Sequence, residues 1–543
     1  MSPTKRTKSA SPILSAGLLA LATSGAAHAV TAAPDGLGQV LLYPYYTVEG
    51  GYDTLLSVTN ATTHGKALKV RLLEALNGRP VFSLNVYLGA RDVWTAMVTA
   101  DAGGGAKLVV SDSSCTAPVI ATALGGSGEM ALLSSGFDGS GNLPADALAR
   151  VGTSRTREGY VEVIEMGDIA SDYRLSDGTH FLSAISYNDS TQAANGEDPP
   201  ADCAAVNNEW ATAQPFPSAG YGATASTSVR GLLTGSGGLG GTGTLINVAQ
   251  GTDYSYDPVV LAGFYMTKPP MHTPADDPSP SLADAAPTSS VVFVDPATGV
   301  PSLKVDDWSN SAISAQPGAD AVSAVLTRAA VINEYVVNTA ISAGTDWVIT
   351  LPTKRWYVDQ VRHPVRPFSA VFGATGACEQ LAIAPYDQSG TTSTGRGIVF
   401  PEAPLPRDKL CWTTNVVTFN NSNVLASTLN DWWLNGQAPY SDNQALGNLN
   451  VGAWRAGRVS LSFPNSTGNA SYYWANAQST GVDLPGDVVS HRLINEAAPN
   501  HVHPGLPMIG FAVQQYTNGT LSGGVLSNYG GAYLHRYQRN ITP

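Results

Sequence analysis

The stretch Leu55 to Val98, LLSVTNATTHGKALKVRLLEALNGRPVFSLNVYLGARDVWTAMV, decides the fold class. Two runs in it alternate with period two, the spacing that puts successive side chains on opposite faces of a strand. In the first, Leu68, Val70 and Leu72 share one face while Lys69 and Arg71 take the other. In the second, Phe82, Leu84, Val86 and Leu88 point inward, and Ser83, Asn85 and Tyr87 point outward. Asn77-Gly78 lies between the runs and suits a tight turn, because both residues tolerate positive φ. Leu56 and Val58 mark a strand upstream; Trp94, Ala96 and Val98 mark one downstream. The pattern predicts an antiparallel sheet with one wet face, half of an Ig-like β-sandwich. Its outward residues, Lys69, Arg71, Ser83, Asn85 and Tyr87, are then the first surface expected to meet a partner.

Outward from this stretch the strand texture continues. Gly38 to Tyr46 reads as a strand that Pro44 confines to a sheet edge or a bulge, since proline has no amide donor. Tyr160 to Met166, Thr244 to Val248 and Ser255 to Met266 are further strands. Pro269, Pro270, Pro274, Pro278, Pro280 and Pro287 then mark an exposed linker or loop, within which Val291 to Val294 can dock as a short strand. Val322, Val325, Leu326, Ala329, Val336, Val337 and Ala340 recur at helical spacing, with Asn333 as the polar break. One prominent amphipathic helix is expected there, with Asp320 as N-cap and Gly344 as stop. Strands fill the remainder, with Asn518-Gly519 as a hairpin turn between Met508 to Val513 and Leu521 to Leu526. The expected organisation is a signal peptide at 1–29, an amino-terminal β-sandwich domain at 30–266, a Pro-rich linker or loop at 267–320, and a carboxy-terminal helix plus β-sandwich domain at 321–543. The fold class is mainly β.

Composition bounds the compartment and the partners. Only 13% of the 543 residues are charged, against a usual ~25%, and 56 glycines with many Ser, Thr and Asn take their place. The net charge is −13; without Lys5, Arg6 and Lys8 it becomes −16. An acidic chain lacking a basic patch excludes nucleic acid as the expected partner, because phosphate neutralisation needs clustered Lys and Arg. Those three cations precede the apolar run Ile13 to Ala22 and the small-residue site Ala27-His28-Ala29, the layout of a secretory signal peptide. No later apolar run approaches the ~20 residues of a transmembrane helix. The four cysteines, Cys115, Cys203, Cys378 and Cys411, are even in number in an exported chain, which favours disulfides. Pairing Cys115 with Cys203 and Cys378 with Cys411 closes one loop in each half. Their spacing does not suit zinc.

Candidate chemistry is sparse. Gly235-Ser236-Gly237-Gly238-Leu239-Gly240 matches the spaced glycines of a dinucleotide loop, but a strand follows it, so no helix N-terminus is available for a phosphate. A flexible loop is expected instead, with no bound cofactor. Neither Gly-x-Ser-x-Gly nor His-Glu-x-x-His occurs. His501-x-His503 would share a strand face and could share a metal, although Pro499 and Pro504 argue for a solvated loop. Asp138, Ser140 and Asn142 alternate as calcium ligands can, but without the glycine and closing Glu of an EF-hand loop. Calcium is the one cofactor kept open, and Asp276-Asp277 and Asp306-Asp307 are weaker sites of the same kind. Trp432-Trp433 and Tyr472-Tyr473-Trp474 offer aromatic faces on which sugars could stack. The basic stretch Thr353 to Arg366 is expected to pair with carboxylates of the protein itself.

The segments LLYPYYTVEGGYDTLLSVTN, KVRLLEALNGR, SLNVYLGARDVWTAMV and INEYVVNTAISAGTDWVITLPTKRWYV resemble a group of exported proteobacterial proteins known as "cell surface protein". The resemblance implies a surface location and carries no catalytic residues. The expected function is a non-enzymatic cell-surface or extracellular protein, structural or adhesive, partnered by surface components or by its own copies. The alternative is a secreted polysaccharide-binding protein or glycan-active enzyme, with glycans as partner.

Overall fold

The computed structural model describes residues 29–543 apart from 142, 149–151, 188–199, 201, 213–230, 266–270, 295–301, 310–315, 359–365, 392–408, 430–445, 464–490, 496–500, 521–525 and 540–543. The expected signal peptide therefore lies, but for Ala29, outside the described residues. The first half contributes β1 (Val40–Thr47), β2 (Asp53–Asn60), β3 (Lys66–Glu74), β4 (Pro80–Leu88), β5 (Val93–Ala100), β6 (Glu158–Ile169), β7 (Leu239–Asn247) and β8 (Thr252–Tyr256). A hairpin of β9 (Ser289–Val294) and β10 (Ser302–Asp307) follows, then α1 (Pro317–Leu326). The second half contributes β11 (Ala330–Val336), β12 (Gly344–Thr350), β13 (Ala382–Asp387), β14 (Thr414–Phe419) and β15 (Ala456–Ser462). It ends in β16 (Arg492–Ile494), β17 (Val502–Pro504), β18 (Ile509–Thr520), β19 (Leu526–Leu534) and β20 (Arg536–Gln538).

The fold is mainly antiparallel β, as the period-two pattern predicts, but the opening stretch divides between two sheets. β3 and β4 pair as the expected hairpin, with Leu68 opposite Val86 and Val70 opposite Leu84, and they extend the order β1-β6-β3-β4. β2 and β5 pair with each other instead, in the order β8-β7-β2-β5. Leu56, Val58, Trp94, Ala96 and Val98 of one sheet meet Leu68, Val70, Leu72, Leu84 and Val86 of the other in a common core. A continuous meander would have left that apolar face uncovered; crossing between sheets at both ends of the hairpin buries it on both sides.

The wet face of the β3–β4 hairpin is a correction. Lys69, Arg71, Asn85 and Tyr87 are buried, because the Pro-rich segment lies across them. The Lys69 ammonium donates to Thr273 Oγ1 at 2.7 Å, to the Ser279 carbonyl at 3.1 Å and to the Pro274 carbonyl. Arg71 donates to the Asp277 carbonyl at 2.8 Å, and Asn85 to the Thr273 carbonyl at 2.8 Å. Tyr87 accepts from Trp210 Nε1 and meets His272, whose ring stacks on Trp210. Proline removes donors from a backbone but leaves its carbonyls, so this segment satisfies cations from above. Burial and the neighbouring guanidinium of Arg71 push Lys69 down to about 7.

The expected long helix is also corrected. α1 starts with Pro317 in its first turn behind Gln316, and it ends at Leu326. Asp320 is not a cap; it is buried and accepts from Tyr357 Oη at 2.8 Å. From Ala330 the chain is strand, with Val331, Asn333, Tyr335 and Val337 buried and Ile332, Glu334 and Val336 turned outward. The apolar positions from 331 to 337 fit both periods, and the β-branched Val331-Ile332 and Val336-Val337 tip the choice toward a strand. Gly344 opens β12 rather than closing a helix, and Asn518-Gly519 falls inside β18.

The two larger sheets of the second half run in the orders β13-β15-β11-β20 and β14-β12-β18-β19. One apolar core runs through both halves: Tyr256 stacks on Phe511 at 4.7 Å, and Thr350 Oγ1 donates to the Pro44 carbonyl at 2.6 Å. Residues 30–266 and 321–543 are thus joined by packing as well as by 267–320. Disulfides link Cys115 to Cys203 and Cys378 to Cys411, the pairing expected from the chain, which places the protein in an oxidising, extracytoplasmic environment. Among the described residues no helix is long and apolar enough to cross a membrane.

Candidate functional site

The structure brings His501 and His503 together, on a carboxylate. β17 and β16 form a small ribbon beside β10, and Asp306 at the end of β10 accepts from His501 Nδ1 at 2.7 Å, His503 Nε2 at 2.9 Å and Asn495 Nδ2 at 2.9 Å. A carboxylate only accepts, so both imidazoles turn an N–H toward it. Those bonds outweigh burial and hold Asp306 at about 2. Trp308 packs on the His503 ring at 5.7 Å, and its Nε1 donates to Ser290 Oγ, across the same hairpin. The expectation of a solvated loop is corrected for His503, which is buried; His501 is half-buried. The cluster fastens the β9–β10 hairpin to β16–β17.

The other sequence candidates resolve into structure. Asp138 accepts from Ser140 N, Ser140 Oγ and Ser134 Oγ at 2.6–2.8 Å, so its carboxylate closes a turn and is held below the usual range; Asn142 lies outside the described residues. Among the described residues no group of three or more His, Cys, Asp or Glu stands where it could hold a metal ion. The glycines at 235–240 serve close approach: Gly237 N donates to Glu165 Oε2 at 2.9 Å, and a Cβ on Gly235 would stand 2.5 Å from that carboxyl. Lys66 in turn bridges Glu165 and Asp168, all three buried. Burial raises Glu165, and Lys66 lowers Asp168. In the basic stretch, Lys354 and Arg355 bind backbone carbonyls of Trp412 and Gly78 rather than carboxylates. Trp432, Trp433, Tyr472, Tyr473 and Trp474 lie outside the described residues.

A roomy concavity with convergent polar groups lies between the two larger sheets of the second half. It is an open cleft of about 640 Å³ lined by Glu334, Asp387, Gln388, Arg458, Gln514 and Tyr533, among others. Strand register builds it. Glu334 on β11 sits directly opposite Arg458 on β15, which sits opposite Tyr386 on β13. The Arg458 guanidinium lies over the Tyr386 ring at 4.2 Å, while Arg536 reaches across from β20 to Glu334 at 2.6 Å. Asp387 accepts from Ser389 N, Ser389 Oγ and Thr391 N at 2.7–2.9 Å, which holds its carboxyl below the usual range.

On the other wall, the β18–β19 ribbon pairs Tyr516 with Tyr529, Gln514 with Gly531 and Ala512 with Tyr533. Opposite residues and alternate residues share a face, so all three tyrosines stand on one side. Tyr529 and Tyr533 are 59% and 49% exposed, well above what a core role allows. Four residues of strand set them about 13–14 Å apart. Gly531 makes the spacing usable, since a Cβ there would meet the Tyr533 Oη at 2.9 Å. Tyr516 Oη donates to Gln514 Oε1 at 2.7 Å, and Gln514 Nε2 donates to the Glu334 carbonyl, tying the two walls together.

None of these residues stood out in the sequence. Glu334 was hidden in the expected helix, and Arg458 and Asp387 are far apart in the chain. The one available signal was Tyr529-Gly530-Gly531-Ala532-Tyr533, two aromatics at even spacing on a strand with glycine between them. The chain matches no protein-family model, no curated protein and no solved structure.

Proposed function

We propose that the protein is an exported, non-enzymatic surface component that acts by adhesion, holding saccharide chains in the cleft between β11, β15 and the β18–β19 ribbon. The observation that carries this reading is the exposed tyrosine face of that ribbon beside an open cleft of planar polar groups. Tyrosine presents a flat apolar face to the C–H side of a sugar ring and a hydroxyl to its rim. Guanidinium, carboxylate and amide groups offer paired donors and acceptors to neighbouring hydroxyls. The disulfides and the resemblance to surface proteins support the location.

A glycan-active enzyme is the second reading, because two acids, Glu334 and Asp387, line the same cleft. Glycoside hydrolysis needs one carboxyl kept protonated as general acid. Asp387 is held ionised by three donors, and Glu334 is engaged by Arg536, so the pair favours binding over bond cleavage. A glycan panel probed with the purified full chain, with products assayed in parallel, tests both. Retention without turnover supports adhesion; turnover of a retained glycan overturns the non-enzymatic reading; no retention on any glycan overturns saccharide binding.

A further inference from the structure

We infer that the cleft selects acidic saccharides, with Arg458 as the residue that grips the sugar carboxylate. The inference rests on the saccharide-binding reading above and adds the ligand's charge. Among the cleft's charged groups, Glu334 is neutralised by Arg536 at 2.6 Å, and the Asp387 carboxylate closes its own turn on Ser389 and Thr391. Arg458 differs. It is exposed, it forms no ion pair among the described residues, and its neighbours across the sheet are Glu334, already bridged, and Tyr386. Its guanidinium lies on the Tyr386 ring, 4.2 Å from the centroid. A cation stacked on an aromatic face keeps its edge, with the paired N–H donors, free to point along the sheet surface.

That edge matches a carboxylate, which takes two parallel N–H bonds from one guanidinium. The tyrosine face of Tyr529 and Tyr533 would receive the apolar side of the same chain, and Gln388, exposed on the cleft rim, its hydroxyls. A uronic acid polymer combines these three features: a ring face, hydroxyls and a carboxylate on each residue. The net charge of −13 makes this a local selection, since the protein as a whole repels polyanions.

The test compares the full chain with two variants, Arg458→Gln and Arg458→Lys, binding oligogalacturonate and a neutral oligoglucan of equal length by calorimetry. Charge-assisted bonds of this kind contribute about ten- to a hundredfold in affinity. The native chain is expected to prefer the uronate, Arg458→Gln to lose about that factor for the uronate alone, and Arg458→Lys to recover only part of it. Arg458 is on the surface, so thermal melting should show both variants folded. Equal affinity for the two saccharides, or uronate binding unchanged in Arg458→Gln, overturns the inference and leaves saccharide binding intact. Binding of neither saccharide, with a glycan panel also empty, overturns the underlying reading.

Discussion

Replacing Asp306 by Asn probes the joint between the β9–β10 hairpin and the β16–β17 ribbon. Asp306 is buried and accepts from three side chains, two of them imidazoles at 2.7 and 2.9 Å. An amide of the same shape keeps one oxygen and turns an NH₂ group toward the remaining donor. If that donor is His503, the ring must shift its proton to Nδ1, which is buried with no partner. An unsatisfied buried donor costs about 1–3 kcal/mol. Linkage gives a similar figure. A carboxyl held at about 2 instead of 3.8 stabilises the fold by about 2–2.5 kcal/mol at neutral pH. Because the folded value is depressed, that contribution is full above the ordinary aspartate range and is lost as pH falls through about 2. The variant should therefore lose about 2–3 kcal/mol at pH 7, a fall in melting temperature of about 2–3 °C for a chain of 543 residues. Hydrogen exchange should localise the loss to 302–308, 491–495 and 501–504. An Asp306→Asn protein that melts with the native one at pH 7, with unchanged exchange in both segments, refutes the assignment of Asp306 as the clasp.

Three further outcomes follow from buried groups. Burial raises Asp346 to about 6, so its contribution is present below about 3.8 and is lost as pH rises through about 6; Asp346→Asn should stabilise the protein at pH 7 by up to about 3 kcal/mol and flatten the stability curve between pH 4 and 6. Reversing the charges of Lys69 and Arg71 to Glu sets carboxylates against the carbonyls of Pro274, Asp277 and Ser279, and should expose 271–284 to proteolysis and lower stability by about 3 kcal/mol or more; surface-like tolerance of the double variant would contradict the burial. Replacing Cys115 and Cys203 by Ser opens a loop with a sequence separation of 88, for which chain entropy gives about 4–5 kcal/mol, read by denaturant titration.

The strands of the opening stretch were legible because two-faced alternation survives in any sheet. Which strands pair is a separate matter: β2 and β5 bury Leu56 and Trp94 on the same rule as β3 and β4, and only the crossing between sheets decides it. Lys69 and Arg71 read as solvent-facing because periodicity reports the side a residue points to, not what covers that side. The cover comes from a segment about 200 residues later, whose prolines mark irregular backbone but not its docking place. The helix was over-extended past Leu326 because Asn333 and Val337, four residues apart, fit the helical spacing and the buried face of a strand alike. Disulfide pairing was legible from loop closure within each half. The Asp306 clasp was legible as a histidine pair but not as its partner, since their separation of 195–197 residues leaves no local trace. The cleft was invisible for the same reason, its walls being drawn from strands spread over residues 330–534.

Saccharide retention by the native chain and by Tyr533→Ala, measured on one glycan panel, bears most directly on the proposed function. Tyr533 is exposed, and its ring lies over Gly531 rather than in the core, so its removal should leave the fold intact. The native protein is expected to retain one class of saccharide, and Tyr533→Ala to lose about five- to tenfold in affinity for it, as stacked aromatic contacts of about 1–1.5 kcal/mol require. Retention by both proteins alike, or by neither, contradicts that expectation.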